Sequence, residues 1–137
     1  MSLHYVVLLL GSNIGNTLEN IENAIAKIEK RIGKIDKFSK ILETKPVEFV
    51  SNNIFRNIAL SLYTTISPFS LLKEIKNIEK GMGRLEDSSV KGGYEDRIID
   101  IDIVKFGEIN LQSSVLEIPH KKHLFERDFS RILLQEL

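Results

Sequence analysis

Asp100 and Asp102 stand two residues apart in the run Arg97-Ile98-Ile99-Asp100-Ile101-Asp102-Ile103-Val104, whose other positions are aliphatic apart from the leading arginine. In an extended strand, side chains i and i+2 leave from one face, with Cα atoms about 6.6 Å apart. Ile99, Ile101 and Ile103 then point into a core, and the two carboxylates sit side by side on the opposite face. Neighbouring carboxylates repel unless one is protonated or a cation lies between them. Hard divalent ions such as magnesium take such oxygens together with phosphate oxygens. An edge strand with a solvated acidic face has the same spacing, so the pair alone leaves both readings open.

The surrounding charges favour the first. Arg97 precedes Asp100 by three residues, Arg84 follows a helical pattern, and His120, Lys121, Lys122, His123 and Arg127 form a basic cluster after Pro119. Each cation by itself is an ordinary surface residue. Converged on the carboxylate face, they supply what phosphoryl transfer from a nucleotide needs: metal-binding oxygens beside phosphate-binding cations. The familiar nucleotide motifs are missing. There is no Gly-x-x-x-x-Gly-Lys-Ser/Thr, and Gly11-Ser12-Asn13-Ile14-Gly15 lacks the dinucleotide spacing of glycines.

The elements that must position these residues can be read along the chain. Tyr5 to Leu10 is an aliphatic run ended by Gly11, as in a strand buried on both faces. Asn16 can cap a helix with Glu19 three residues on; Leu18, Ile21, Ile25, Ile28 and Ile32 then recur at spacings of three and four. Gly33 follows, where a left-handed backbone is expected to stop the helix. Residues 34 to 44 read as one extended strand, and Phe55 to Thr64 as a half-buried strand. Ser67-Pro68 opens a second helix running to about Lys80. Gly81 to Asp96 is a long, charged connection that could act as a lid. A strand over Arg97 to Phe106, a turn near Gly107, the segment Val115 to Pro119 and a last apolar run from Phe129 to Leu137 complete the chain. The order strand, helix, strand, strand, helix, strand matches the βαββαβ pattern of ferredoxin-like α+β domains, an antiparallel sheet with helices packed on it, here with carboxyl-terminal additions.

Composition bounds the rest. With 137 residues, 42% of them hydrophobic, residues 1–137 fit one domain with a real core. Basic and acidic residues both number 19, so no overall charge draws the chain to nucleic acid or a membrane surface. The absence of cysteine excludes disulfides, thiolate metal sites and thiol catalysis. A cytoplasmic protein acting as a monomer on small molecules is expected.

Six segments, in order, resemble the 6-hydroxymethyl-7,8-dihydropterin pyrophosphokinase family of folate biosynthesis: Leu-Gly-Ser-Asn-Ile-Gly-Asn from Leu10, Glu-Thr-Lys-Pro-Val-Glu-Phe from Glu43, Phe-Arg-Asn-Ile-Ala-Leu from Phe55, Ile-Glu-Lys-Gly-Met-Gly-Arg from Ile78, Arg-Ile-Ile-Asp-Ile-Asp-Ile-Val-Lys-Phe-Gly from Arg97, and Ile-Pro-His-Lys-Lys-His-Leu-Phe-Glu-Arg-Asp-Phe from Ile118. The resemblance implies transfer of a pyrophosphoryl group from ATP to the hydroxymethyl oxygen of a reduced pterin. It implies that Asp100 and Asp102 hold two magnesium ions, and that Arg84, Arg97, His120 and Arg127 contact the triphosphate, with Glu79 and Ile103 near the nucleotide. For the pterin it implies stacking between Phe55 and Phe129, an amide edge from Asn57, and backbone groups around Thr44, Pro46 and Val47.

The chain departs from that pattern in places. Glu86 stands where relatives carry a second basic residue, Tyr94-Glu95-Asp96 replaces Trp-Gly-Pro, Lys121 replaces tyrosine, and the step from His120 to Arg127 is one residue longer than usual. Two other readings follow from the residues: a ferredoxin-like binding module without catalysis, and a relative that keeps pterin binding but has lost turnover.

Overall fold

The computed structural model describes residues 2–44, 54–83 and 97–137. In chain order the elements are β1 (His4–Ser12), α1 (Thr17–Arg31), β2 (Lys34–Phe38), β3 (Leu42–Thr44), β4 (Phe55–Thr64), α2 (Pro68–Gly81), β5 (Asp100–Phe106), β6 (Leu111–Gln112), β7 (Glu117–Ile118), a π turn (Lys122–Glu126) and α3 (Asp128–Leu134). The main sheet runs β2-β4-β1-β5, with β3 pairing β4 beyond the end of β2, and every pairing is antiparallel. This is the ferredoxin-like order, with β6, β7, the π turn and α3 as additions.

The helices start where the sequence places them. Asn16 Oδ1 accepts the Glu19 N–H at 3.1 Å, and Ser67 Oγ accepts the Ser70 N–H at 3.2 Å with Pro68 in the first turn. Ile21, Ala24 and Ile28 of α1 and Leu71, Ile75 and Ile78 of α2 are buried against the face of the sheet that carries Val6, Leu8, Leu10, Ile58, Leu60, Leu62, Ile101 and Ile103. The opposite face carries Val7, Leu9, Ala59 and Val104, which pack on Leu133 of α3. β1 is thus covered on both sides. Among the described residues the short α3 packs on part of this second face, and the cavity lies beyond it.

Several expectations are corrected. Leu18 is exposed, and the buried stripe of α1 is Thr17, Ile21, Ala24 and Ile28. The single strand over residues 34–44 is broken into β2 and β3, because Ser39 turns inward: its Oγ accepts the Ala59 N–H at 2.8 Å while its own N–H donates to the Ala59 carbonyl at 2.9 Å. β5 begins at Asp100 rather than Arg97. Gly33 is not left-handed; among the described residues positive φ occurs only at Gly15, Gly83 and Gly107. What Gly33 provides is close approach, since a Cβ there would collide with the Tyr63 carbonyl.

Candidate active site

Asp100 and Asp102 leave β5 on the second face, as the alternation requires, and each is half-buried. Arg97 Nη1 lies 3.2 Å from Asp100 Oδ1, and His123 Nε2 lies 2.7 Å from Asp102 Oδ2, so each carboxylate has its own partner on its outer side. Arg97 is held in turn by Asn13, whose Oδ1 accepts the Arg97 N–H at 2.6 Å and whose N–H donates to the Arg97 carbonyl at 3.0 Å. The glycine-rich turn after β1 therefore anchors the arginine that enters β5.

The sheet register supplies the rest. Asp100, Gly11 and Asn57 are directly opposite one another across β5, β1 and β4. Two interstrand steps of about 4.8 Å put the first and third roughly 10 Å apart. Gly11 is required between them because a Cβ there would lie 2.9 Å from Asn57 Oδ1. Asn57 is 4% exposed, and its Nδ2 donates to Thr44 Oγ1 at 2.9 Å, so β3 orients the amide. One row of the sheet thus carries a carboxylate at one end, an oriented amide at the other, and bare backbone in the middle.

The third wall comes from the carboxyl-terminal segment. The His120 N–H donates to the Val104 carbonyl at 2.9 Å, at the bulge where β1 and β5 shift register between Val7 and Leu8. This bond covers part of the outer edge of β5. In the π turn the Arg127 N–H reaches back five residues to the Lys122 carbonyl at 2.9 Å. Such a turn absorbs one residue more than an α turn. It accommodates the long step from His120 to Arg127 and keeps both ends on the same wall.

These elements enclose a cavity of about 450 Å³, within the ordinary range for small-molecule sites. Its lining brings together Thr44, Phe55, Asn57, Arg97, Asp100, Asp102, His120, Lys122, His123, Arg127 and Phe129 of the residues singled out in the sequence, and adds Gly11 and Glu117. The side chains of Glu79 and Ile103 do not line this cavity. Ile103 faces the helices in the main core. Glu79 is 3% exposed, and its Oε2 accepts the Ile101 N–H at 2.8 Å, tying α2 to β5. Arg84, Glu86, Pro46, Val47 and all of the proposed 81–96 lid beyond Gly83 lie outside the described residues. Sequence reasoning grouped His123 with the basic cluster but did not separate it as a contact of Asp102. Its spacing of three from His120 was the available signal, whereas nothing in the pattern distinguished Asn13 or Ser130.

Charge in the cavity is arranged to keep Asp102 ionised. Burial by itself pushes its carboxyl up, but the hydrogen bond and charge of His123, with further help from His120 and Arg127, outweigh this and hold it well below the usual carboxylate range. His120 is pushed below its ordinary value, first by burial and then by His123 and Arg127, against the pull of Asp102 and Glu117. Two donor sets are available to a cation. The carboxylate pair is an all-oxygen set that suits magnesium beside phosphate. Asp102, His120 and His123 also offer ligand atoms within 4.8 Å of one another, a mixed set better matched to transition ions.

Fold and site together define a ferredoxin-like α+β domain with a mixed carboxylate and cation pocket at the open end of its second sheet face. The profile of 7,8-dihydro-6-hydroxymethylpterin-pyrophosphokinase matches residues 7–137, and the chain belongs to that family. It is 35% identical over 133 residues to a 2-amino-4-hydroxy-6-hydroxymethyldihydropteridine pyrophosphokinase of Porphyromonas gingivalis, covering 96% of this chain and 89% of that protein. It is 36% identical over 126 residues to a mitochondrial folate synthesis bifunctional protein of Arabidopsis thaliana, covering 92% of this chain but 22% of the relative. A pea protein described in the same words is 34% identical and is spanned to 25% of its length, so against these bifunctional relatives the chain matches about a quarter or less. Among solved structures, Plasmodium falciparum HPPK-DHPS shares the fold, with a TM-score of 0.74 at 19% identity over 98% of this chain and 41% of that one.

Proposed function

We propose that residues 1–137 act as a pyrophosphokinase domain, moving the β- and γ-phosphoryl groups of ATP as a unit to the hydroxymethyl oxygen of 6-hydroxymethyl-7,8-dihydropterin. The single observation that carries this reading is the sheet row from Asp100 through Gly11 to Asn57. It sets a metal-binding carboxylate and an oriented amide at opposite ends of one cavity, in a chain of this family. In the reaction the pterin hydroxyl oxygen bonds to the β-phosphorus, the bond from that phosphorus to the oxygen bridging it to the α-phosphorus breaks, AMP leaves, and the hydroxyl proton passes to solvent.

The residues divide the work by chemistry. Asn57, with its amide held by Thr44, presents donor and acceptor to the edge of the heterocycle, and Phe55 and Phe129 offer aromatic faces to the ring. Arg97, His120, Lys122 and Arg127 line the half of the cavity that receives the triphosphate and bind its oxygens as charge shifts toward the leaving AMP. Arg84 is assigned to the same task on the resemblance alone. Asp100 and Asp102 fit magnesium by donor type, by common face and by the ionised state of Asp102, and would hold two ions. When bound, these ions neutralise triphosphate charge and template the in-line approach.

The test is AMP formation from ATP and the reduced pterin, with and without magnesium, in the wild type and in Asp100→Ala and Asp102→Ala. Magnesium-dependent AMP release in the wild type and a loss of about a thousandfold or more in both variants, with the fold retained, is the expected result. Wild-type turnover that neither substitution alters would remove the assignment.

A further inference from the structure

His123 is a histidine set into the wall beneath α3, 1% exposed, with both ring nitrogens engaged. Nδ1 is 2.6 Å from Ser130 Oγ and Nε2 is 2.7 Å from Asp102 Oδ2. Ser130 is itself fully buried in α3. The chain Ser130 to His123 to Asp102 therefore links a helix of the carboxyl-terminal addition to one oxygen of one carboxylate, and it passes through the π turn. Neighbouring rings restrict the imidazole further: His120 stacks on it at a centroid distance of 4.2 Å, and Phe129 meets it edge-on at 6.3 Å. A buried polar side chain with two short bonds and two ring neighbours has one available orientation, and that orientation occupies Oδ2.

We propose that His123 is a positioning residue for the metal site: it fixes Asp102 so that Oδ1 faces the cavity as a monodentate ligand. This inference rests on the reading of Asp102 as a magnesium ligand. Magnesium favours oxygen over imidazole and demands near-ideal octahedral placement, so a carboxylate free to rotate or to chelate through both oxygens binds it less well. Removing an outer partner of a metal ligand typically weakens metal binding about 10–100-fold. Arg97 serves Asp100 in the corresponding way through Oδ1. The two carboxylates are then clamped from opposite ends of β5, by Arg97 at its entrance and by His123 across the sheet face.

The two amide substitutions of His123 separate a positioning role from a packing role. Glutamine carries an amide nitrogen near the place of Nε2 and can still reach Asp102; asparagine reaches only toward the place of Nδ1. The measurement is Mn²⁺ binding in the presence of a nonhydrolysable ATP analogue, followed by electron paramagnetic resonance without turnover. Pterin affinity, read by fluorescence, reports that the pocket is intact. Expected are a loss of manganese affinity of about tenfold or more in His123→Leu and His123→Asn, restoration to within about threefold in His123→Gln, and pterin binding unchanged in all three. Ser130→Ala should fall between wild type and His123→Leu, and carries the test should the His123 variants not fold. Asp102→Asn separates the two levels of the argument. If it abolishes binding while His123→Leu, His123→Asn and Ser130→Ala leave it untouched, the positioning role is overturned and the metal role of Asp102 survives. If Asp102→Asn itself leaves manganese binding intact, both fall. Nitrogen hyperfine coupling from His123 to the bound manganese would also overturn the proposal, because the ring would then be a ligand.

Discussion

Asp102 shows how much of the chemistry resides in single side chains. Its carboxylate is held ionised by His123, His120 and Arg127 against the effect of burial, and His120 is held toward its neutral form. Both shifts are downward, and each has a definite consequence for the metal-free protein. His120, lowered from 6.5, contributes stability that is present above that value and is lost as pH falls through its folded-state value, because the unfolded chain then takes up the proton first. Asp102, lowered from 3.8, contributes stability that is complete above 3.8 and is lost as pH falls through its own folded-state value. Denaturant titrations from pH 8 to pH 3 should therefore show stability falling first below about 6.5 and again below about 4, and His120→Gln should flatten the first step. A profile unchanged by His120→Gln would contradict the stated environment of that ring. At the other end of the row, Asn57→Ala removes the group proposed to meet the heterocycle edge. Its pterin Kd should rise about tenfold or more, with nucleotide affinity held within about threefold, as separate titrations of the two ligands would report.

At the scale of elements, much was legible in the sequence, because the signals were local. The alternation of Ile99, Ile101 and Ile103 with Asp100 and Asp102 correctly put the carboxylates on one face of a strand, and the caps at Asn16 and Ser67 correctly began the helices. The failures came where tertiary contact overrides local pattern. Leu18 has the right spacing but overshoots the edge of the buried stripe, Ser39 breaks a strand to satisfy the Ala59 backbone, and Gly33 answers to the proximity of Tyr63 rather than to helix termination. Gly11 could be read only as a strand stop, since its partners Asn57 and Asp100 are 46 and 89 positions away in sequence and meet it through sheet register. Gly11→Ala should therefore displace the Asn57 amide and raise the pterin Kd about tenfold, with magnesium dependence of the residual activity unchanged. An unaltered pterin Kd would show that the backbone gap at Gly11 is not needed. Ser61, buried in β4 without a hydrogen-bond partner for its hydroxyl among the described residues, gives an independent check on the packing of the second face. Ser61→Ala should leave stability unchanged or raise it by up to about 1 kcal/mol in chemical denaturation.

For the whole molecule, the two faces of the sheet have different tasks. Among the described residues, one is packed against α1 and α2 and contains most of the core, while the other carries α3 over part of its length and the cavity beside it. The carboxyl-terminal addition is therefore more than a cap. It brings His120, His123, Arg127 and Phe129 over the carboxylates of β5, from a segment whose π turn and backbone bond to Val104 have no simple sequence signature. The central claim is that the carboxylates on β5 hold divalent ions brought in with the triphosphate. Anomalous diffraction from crystals grown with Mn²⁺, a nonhydrolysable ATP analogue and the reduced pterin tests it most directly. The account predicts manganese peaks bonded to oxygens of both Asp100 and Asp102, with the pterin ring beside Asn57. Manganese located elsewhere, with no bond to Asp100 or Asp102, would contradict it.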